Sequence, residues 1–182
     1  EFDRDPRGRG VAALLSTYAC SQEDWEQLAV FDSVRYTRNL IHRCSAFELL
    51  LLCWEVDQES PVHDHSGQDC WMAVLQGELE EQHYIPPRAL AVGPLALGKR
   101  SEVGRGGVAY IADGIALHRI RPLHGARGMS LHLYSRPIDT CRVYDPRTGA
   151  STLVELGYHS VRGKPCHQPA KDIRAAWATR QG

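Results

Sequence analysis

The sequence predicts an all-β protein, a small barrel or sandwich with short helices at its N-terminus. Three observations point there. From residue 34 onward most of the chain breaks into short segments, many carrying β-branched and aromatic side chains. Turn-forming residues punctuate them, notably Gly77 and the run Asp145, Pro146, Arg147, Thr148, Gly149. Single or paired histidines recur at positions 63, 65, 118 and 132. A closed barrel is the arrangement in which inward positions of distant strands converge on one axis.

The elements follow in order. Residues 1–10 are charged and rich in Gly and Pro, and read as frayed. Residues 11–19 and 24–30 have helical character, the second with Ser21 or Asp24 as N-cap. Strands are expected at 34–42, 47–56, 71–76, 79–85, 108–112, 117–122, 129–135 and 140–144, and a terminal helix at 173–179. No fixed-period repeat or low-complexity linker divides the chain. Residues 1–182 therefore read as one domain: a helical segment over 1–30, a barrel core over 31–160 and a tail over 161–182.

With 182 residues and 43% hydrophobic content, the chain can bury one full core. A net charge of −1 gives no electrostatic reason to expect nucleic acid or an anionic membrane as partner. No apolar run, even across 49–54, reaches the roughly 18–20 residues of a membrane span. No signal-peptide pattern opens the sequence, which starts at Glu1 as a trimmed end would. The six cysteines lack CxxC spacing and read as reduced thiols, most of them packed as small hydrophobes. The expected setting is cytoplasmic and the expected state a monomer.

Pro61-Val62-His63-Asp64-His65 carries the chemistry. On an extended strand His63 and His65 share one face while Asp64 points away, so two imidazoles reach one point in space. A third from a distant strand would complete a metal site with open positions. A surface strand with two histidines is the plain alternative. In Ser130-Leu131-His132-Leu133-Tyr134 the same alternation sets Ser130, His132 and Tyr134 on a polar inner face and the leucines outside. It also pairs Tyr36 with Arg38. Trp54 and Trp71 read as core. His42, His83, His124, His159 and His167 read as surface or packing residues, His159 least firmly, and Arg35 and Arg43 read as solvated.

Arg35-Tyr36-Thr37-Arg38-Asn39-Leu40, Leu52-Cys53-Trp54, His63-Asp64-His65 with Cys70 beyond it, Leu75-Gln76-Gly77, Leu117-His118-Arg119, Ser130 to Ser135 and Asp139-Thr140-Cys141 occur in that order. Together they resemble the cysteine dioxygenases, iron-dependent thiol dioxygenases of the cupin (jelly-roll) fold, of the type I, eukaryotic-like group. The resemblance spans about residues 31–160. It implies that His63, His65 and His118 ligate a ferrous ion, and that L-cysteine and O2 are the substrates, giving cysteine sulfinate. Most cupins have a glutamate ligand where Cys70 stands. Without that carboxylate three neutral imidazoles leave the ion its full charge and room for a thiolate. Zinc on three histidines is the rival metal.

The resemblance further implies a thioether between Cys70 and Tyr134, with the Tyr134 hydroxyl beside the metal. His132 becomes a residue that orients that hydroxyl, with a fourth-ligand role as the alternative. Arg38 falls on the family's carboxylate clamp, helped by Tyr36, and a guanidinium suits a carboxylate through two parallel charge-assisted bonds. Relatives acting on 3-mercaptopropionate carry glutamine there. Cys141 matches a cysteine near the pocket mouth, and His159 lies in a region that closes over the site. The rival functions are a thiol dioxygenase for 3-mercaptopropionate, cysteamine or a peptide N-terminal cysteine, and a non-catalytic metal- or metabolite-binding cupin.

The chain departs from the general cupin pattern at Asp57, in place of a glycine before the first histidine. It departs again at Asp113 and Ile115 before the third, and this second departure is shared by the cysteine dioxygenases. Pro122 replaces an asparagine usual in the family, and the helical N-terminal cap is shorter than the family's.

Overall fold

Glu48–Trp54 is apolar at nearly every position after its first residue because both of its faces are buried. Leu50, Leu52 and Trp54 point one way, Leu51 and Cys53 the other, and each set belongs to a different core. That strand shows how the molecule is built. The computed structural model of the chain describes residues 8–86 and 93–166. Among these residues are one α-helix, α1 (Arg9–Ser21), a 3-10 turn (Glu26–Leu28) and thirteen strands. The strands are β1 (Thr37–Arg43), β2 (Glu48–Trp54), β3 (Val62–His63), β4 (Cys70–Gln76), β5 (Glu78–Tyr84), β6 (Leu97–Gly104) and β7 (Val108–Ile111). After these come β8 (Leu117–Pro122), β9 (Gly128–Tyr134), β10 (Thr140–Tyr144), β11 (Ser151–Glu155), β12 (Ser160–Val161) and β13 (Lys164–Pro165).

They form two sheets, ordered β13-β12-β1-β2-β9-β4-β7 and β11-β10-β3-β8-β5-β6. The first core lies between the sheets, where Leu50, Leu52, Met72 and Val74 meet Leu79 and Ile120. The second lies on the outer face of the larger sheet. Leu15 and Ala19 of α1, with Trp25, cover Leu51, Trp71, Ala73, Leu75 and Leu131 there. The jelly-roll expectation is thereby met, and α1 is the cap that the sequence led us to expect.

Other expectations shift. The helix expected over 24–30 is only the 3-10 turn, because Asp24 spends its carboxylate accepting from the Tyr18 hydroxyl and no side chain caps the turn. The strand expected from residue 34 starts at Thr37, because Asp32 accepts the Val34 amide and turns the chain first. Strands β6 and β11 lacked an apolar signal: β6 is mostly exposed and rich in polar residues, and both are sheet edges. The tail contributes β12, parallel to β1, so the sheet continues past residue 160. The helix expected over 173–179 and His167 lie outside the described residues.

The turn residues behave as read. Gly77, at φ 75°, joins β4 to β5. Gly149, at φ 71°, closes the β10–β11 hairpin with its amide on the Asp145 carbonyl. Asp57 takes φ 64°, a conformation glycine adopts freely and aspartate tolerates better than most residues. Of the six free cysteines, Cys53, Cys70 and Cys141 are buried; Cys44 and Cys166 are intermediate and Cys20 is exposed. No helix among the described residues is long and apolar enough to cross a membrane.

Candidate metal centre

The smaller sheet brings the histidines together. His63 of β3 lies directly opposite His118 of β8. Opposed residues share a face, so both rings enter the space between the sheets. His65 follows two residues on, past the end of β3, and the Asp113 carboxylate accepts both its amide (2.7 Å) and that of Gly67 (2.6 Å). The departure at Asp113 is thus a brace for the loop that aims His65. Asp64 points away, as alternation requires, and accepts the Arg142 amide at 2.8 Å. The ring centroids lie 5.2 Å apart for His63 and His65 and 4.6 Å apart for each of the other two pairs. One nitrogen from each of the three falls within 4.8 Å of the others.

Second partners orient the rings. His63 Nδ1 contacts the Pro61 carbonyl at 3.0 Å, and His118 Nδ1 contacts the Glu81 carboxylate at 2.8 Å. Each leaves Nε2 for an ion. His65 is 1% exposed; its Nδ1 faces the Asp113 carboxylate at 3.6 Å, while its buried Nε2 has no hydrogen-bond partner and is left for a cation. Burial, together with the other imidazoles, holds His63 well below the usual histidine range. Burial also brings His118 down to about 4, against the pull of Glu81. Neutral imidazoles are the ligating form, so the donor set fits a divalent cation.

Glu81 was not foreseen. Alternation along β5 sends Leu79, Glu81 and His83 to the interior, and a strand that buries a carboxylate in line with a core leucine is a readable signal. Glu81 is 4% exposed and also contacts His83 Nε2 at 3.1 Å. Burial opposes its charge, but the hydrogen bonds to His118 and His83 win and bring its carboxyl down to about 2. His83 therefore packs inside, opposite His118 in the sheet register.

The larger sheet supplies the facing wall. Cys70 of β4 lies directly opposite Tyr134 of β9, and both side chains are buried. Burial raises the Cys70 thiol, and a hydrogen bond from Tyr134 and the charge of Arg38 offset that only in part. His132 Nδ1 faces the Cys70 sulfur at 3.8 Å, and its Nε2 meets the Ser130 hydroxyl at 2.9 Å. Trp54 Nε1 donates to that same hydroxyl at 3.0 Å. The polar partners of the His132 ring are therefore Ser130 and Cys70, and the ring stacks on Tyr134 with centroids 6.3 Å apart.

Arg38 enters from β1 and is 6% exposed. Burial works against its charge, but Tyr134, Tyr36, Glu48 and Cys141 around it raise its pKa on balance. Its charge adds to the burial that lowers His63 and His132. Tyr36 stacks on Trp54 with centroids 4.5 Å apart. Cys141 is 3% exposed, and burial pushes its thiol up to about 12. His159 sits just before β12, between β1 and the β13 end of the sheet, where its carbonyl accepts the Cys166 amide. Its amide donates to the Arg38 carbonyl at 2.8 Å, and its Nδ1 accepts the Arg38 amide at 3.0 Å.

The family model for cysteine dioxygenase type I matches residues 7–147. The chain belongs to the cysteine dioxygenase type I family. It is 38% identical to the cysteine dioxygenase type 1 of Danio rerio over 157 residues, covering 85% of this chain and 78% of that protein. The human cysteine dioxygenase type 1 gives 38% identity over 157 residues, covering 84% and 77%. Solved structures share the fold. A protein of Thermus thermophilus superposes with a TM-score of 0.51 at 20% identity, over 64% of this chain and 98% of its own. An uncharacterized conserved protein from Klebsiella pneumoniae with a double-stranded β-helix domain gives 0.51 at 12% identity, over 75% and 98%. The sheets of this cysteine dioxygenase family member thus follow the double-stranded β-helix of the cupins.

Proposed function

We propose that this chain oxidises L-cysteine with O2 to cysteine sulfinate, with both oxygen atoms ending on sulfur. The observation that carries the reading is the convergence of three imidazoles, those of His65 and His118 fully buried, inside a barrel that also buries the guanidinium of Arg38. His63, His65 and His118 hold a ferrous ion, and zinc is the disfavoured alternative. When bound, iron supplies the affinity for thiolate and the activation of O2.

The chain's own residues supply position and charge. Arg38 receives the substrate carboxylate, with Tyr36 beside it, and so leaves the thiol and amine facing the histidines. A ligand lacking the carboxylate leaves the Nε and Nη2 donors of the buried guanidinium without acceptors, which disfavours cysteamine. Tyr134 presents its hydroxyl to the bound substrate. A Cys70–Tyr134 thioether, in which the Cys70 S–H and a Tyr134 ring C–H are replaced by a C–S bond while O2 takes up the two electrons and two protons, fixes that phenol, and opposed positions on neighbouring strands suit the bond. His132, hydrogen-bonded to Ser130, packs behind both and holds them in place. Cys141 shapes the cavity next to Arg38, and His159 holds the clamp's backbone. The enzyme acts as a single domain and a monomer in the cytosol, where its free thiols remain reduced.

Oxygen uptake by the iron-loaded protein tests the reading. Uptake is expected with L-cysteine and to be much weaker with 3-mercaptopropionate and cysteamine. Arg38→Gln should raise the KM for cysteine about tenfold or more, since a hydrogen bond to a charged group is worth about 1.5–3 kcal/mol. No cysteine-dependent uptake, or an unchanged KM in that variant, would overturn it.

A further inference from the structure

Glu48 is a carboxylate at the inner edge of the barrel with 0% exposure, and the sequence offered no role for it. In register it lies between Arg43 of β1 and Tyr134 of β9. Its Oε1 accepts from the Tyr158 hydroxyl and from Arg43 Nη1 at 3.3 Å. Its Oε2 has no hydrogen-bond partner and stands 4.0 Å from Arg38 Nη2, which has none either. Arg43, read from the sequence as a solvated residue, reaches Glu48 because a bulge between Leu40 and His42 shifts the alternation. It then faces the same way as Arg38, and its outer end pairs with Asp139 at 2.7 Å.

A buried guanidinium needs a counter-charge. Among the described residues Glu48 is the acid paired with Arg38, and the 4.0 Å gap leaves the donors Nε and Nη2 of Arg38 uncommitted. A substrate carboxylate arriving there meets two opposed effects: attraction to Arg38 and repulsion from Glu48 behind it. Arg43 and Tyr158 moderate the repulsion by drawing on the other oxygen of Glu48. The four groups therefore set the strength of the clamp together.

We propose that Glu48 is a positioning residue that acts through Arg38, serving as its resting counter-ion and tempering its affinity for the substrate carboxylate. The inference rests on the clamp reading of Arg38. It predicts opposite effects from two single substitutions. Glu48→Gln keeps the volume and removes the repulsion, so the KM for cysteine should fall roughly tenfold, as Coulomb attraction across a partly buried site allows, with kcat within about twofold. Arg43→Gln leaves the charge of Glu48 undivided, so the same KM should rise. Cysteamine, which has no carboxylate, should keep its inhibition constant in both variants, a result that a merely structural role would not give. Glu48→Asp should restore most of the parent behaviour.

The test measures KM, kcat and cysteamine inhibition on iron-loaded single variants and on Arg38→Gln/Glu48→Gln, together with melting of the metal-free proteins. Metal-free Glu48→Gln should melt below the parent because its guanidinium has lost its counter-charge. In the Arg38→Gln background Glu48→Gln should change KM by less than about twofold. Equal changes for cysteine and cysteamine, or a KM that does not fall in Glu48→Gln, refute the inference. If Glu48→Gln does not fold, an unchanged or lowered KM in Arg43→Gln refutes it alone. If Arg38→Gln leaves the cysteine KM unchanged, the clamp itself is wrong, and the two failures are distinguished.

Discussion

Replacing Glu81 tests the metal centre from behind. Its carboxylate is 2.8 Å from His118 Nδ1 and 3.1 Å from His83 Nε2, and it is 4% exposed. In Glu81→Gln the amide oxygen still accepts from His118, but a charge-assisted bond becomes a neutral one. Bonds to charged groups are worth about 1.5–3 kcal/mol and neutral ones about 0.5–1.5 kcal/mol. The loss is therefore about 1.4 kcal/mol, a factor of about ten in affinity for the ion. Glu81→Ala removes the acceptor altogether and strands a buried ring N–H, so its loss should approach a hundredfold, the upper end for such supporting residues. The assay is an anaerobic Fe(II) titration against a competing chelator, with circular dichroism to confirm that each variant is folded. Iron affinity within about twofold of the parent in both folded variants would refute the claim that Glu81 sets the donor strength of His118.

Two further outcomes follow from the fold. Gly77→Ala should cost more than about 2 kcal/mol in chemical unfolding, because φ 75° disfavours a side chain and the added methyl would lie 2.5 Å from the Arg127 carbonyl oxygen. A stability equal to the parent's would contradict the turn geometry. Burial opposes the charge of Glu80, but Gln82 and Arg121 bond it and hold its carboxyl below the usual range. Such a group stabilises the fold above its unfolded pKa, and that contribution is lost as pH falls through the folded value. Glu80→Gln should accordingly flatten the acid limb of the stability profile, and an unchanged limb would exclude the effect.

Much of this site was legible because short-range rules govern it. Alternation along a strand needs no partner to be known. It correctly set Ser130, His132 and Tyr134 inward and sent Leu131 to the outer core under α1. It also paired Tyr36 with Arg38 and turned Asp64 away from its flanking histidines. The resemblance supplied what alternation could not, namely that His118 joins His63 and His65.

The remainder depended on contacts between distant residues. His65 lies beyond its strand, and a brace from Asp113, far along the chain, fixes its backbone and faces its ring. Alternation could have flagged Glu81 as inward-facing, but its partner His118 follows from the pairing of β5 with β8, far along the chain. A single bulge in β1 let Arg43, still exposed as expected, also reach Glu48, because one inserted residue inverts every facing after it. The sequence by itself determined the residue types, their alternation and the turns, all properties of neighbouring peptide units. The tertiary structure alone decided which strands lie side by side, and hence which charges meet, because pairing depends on the whole sheet closing around one core.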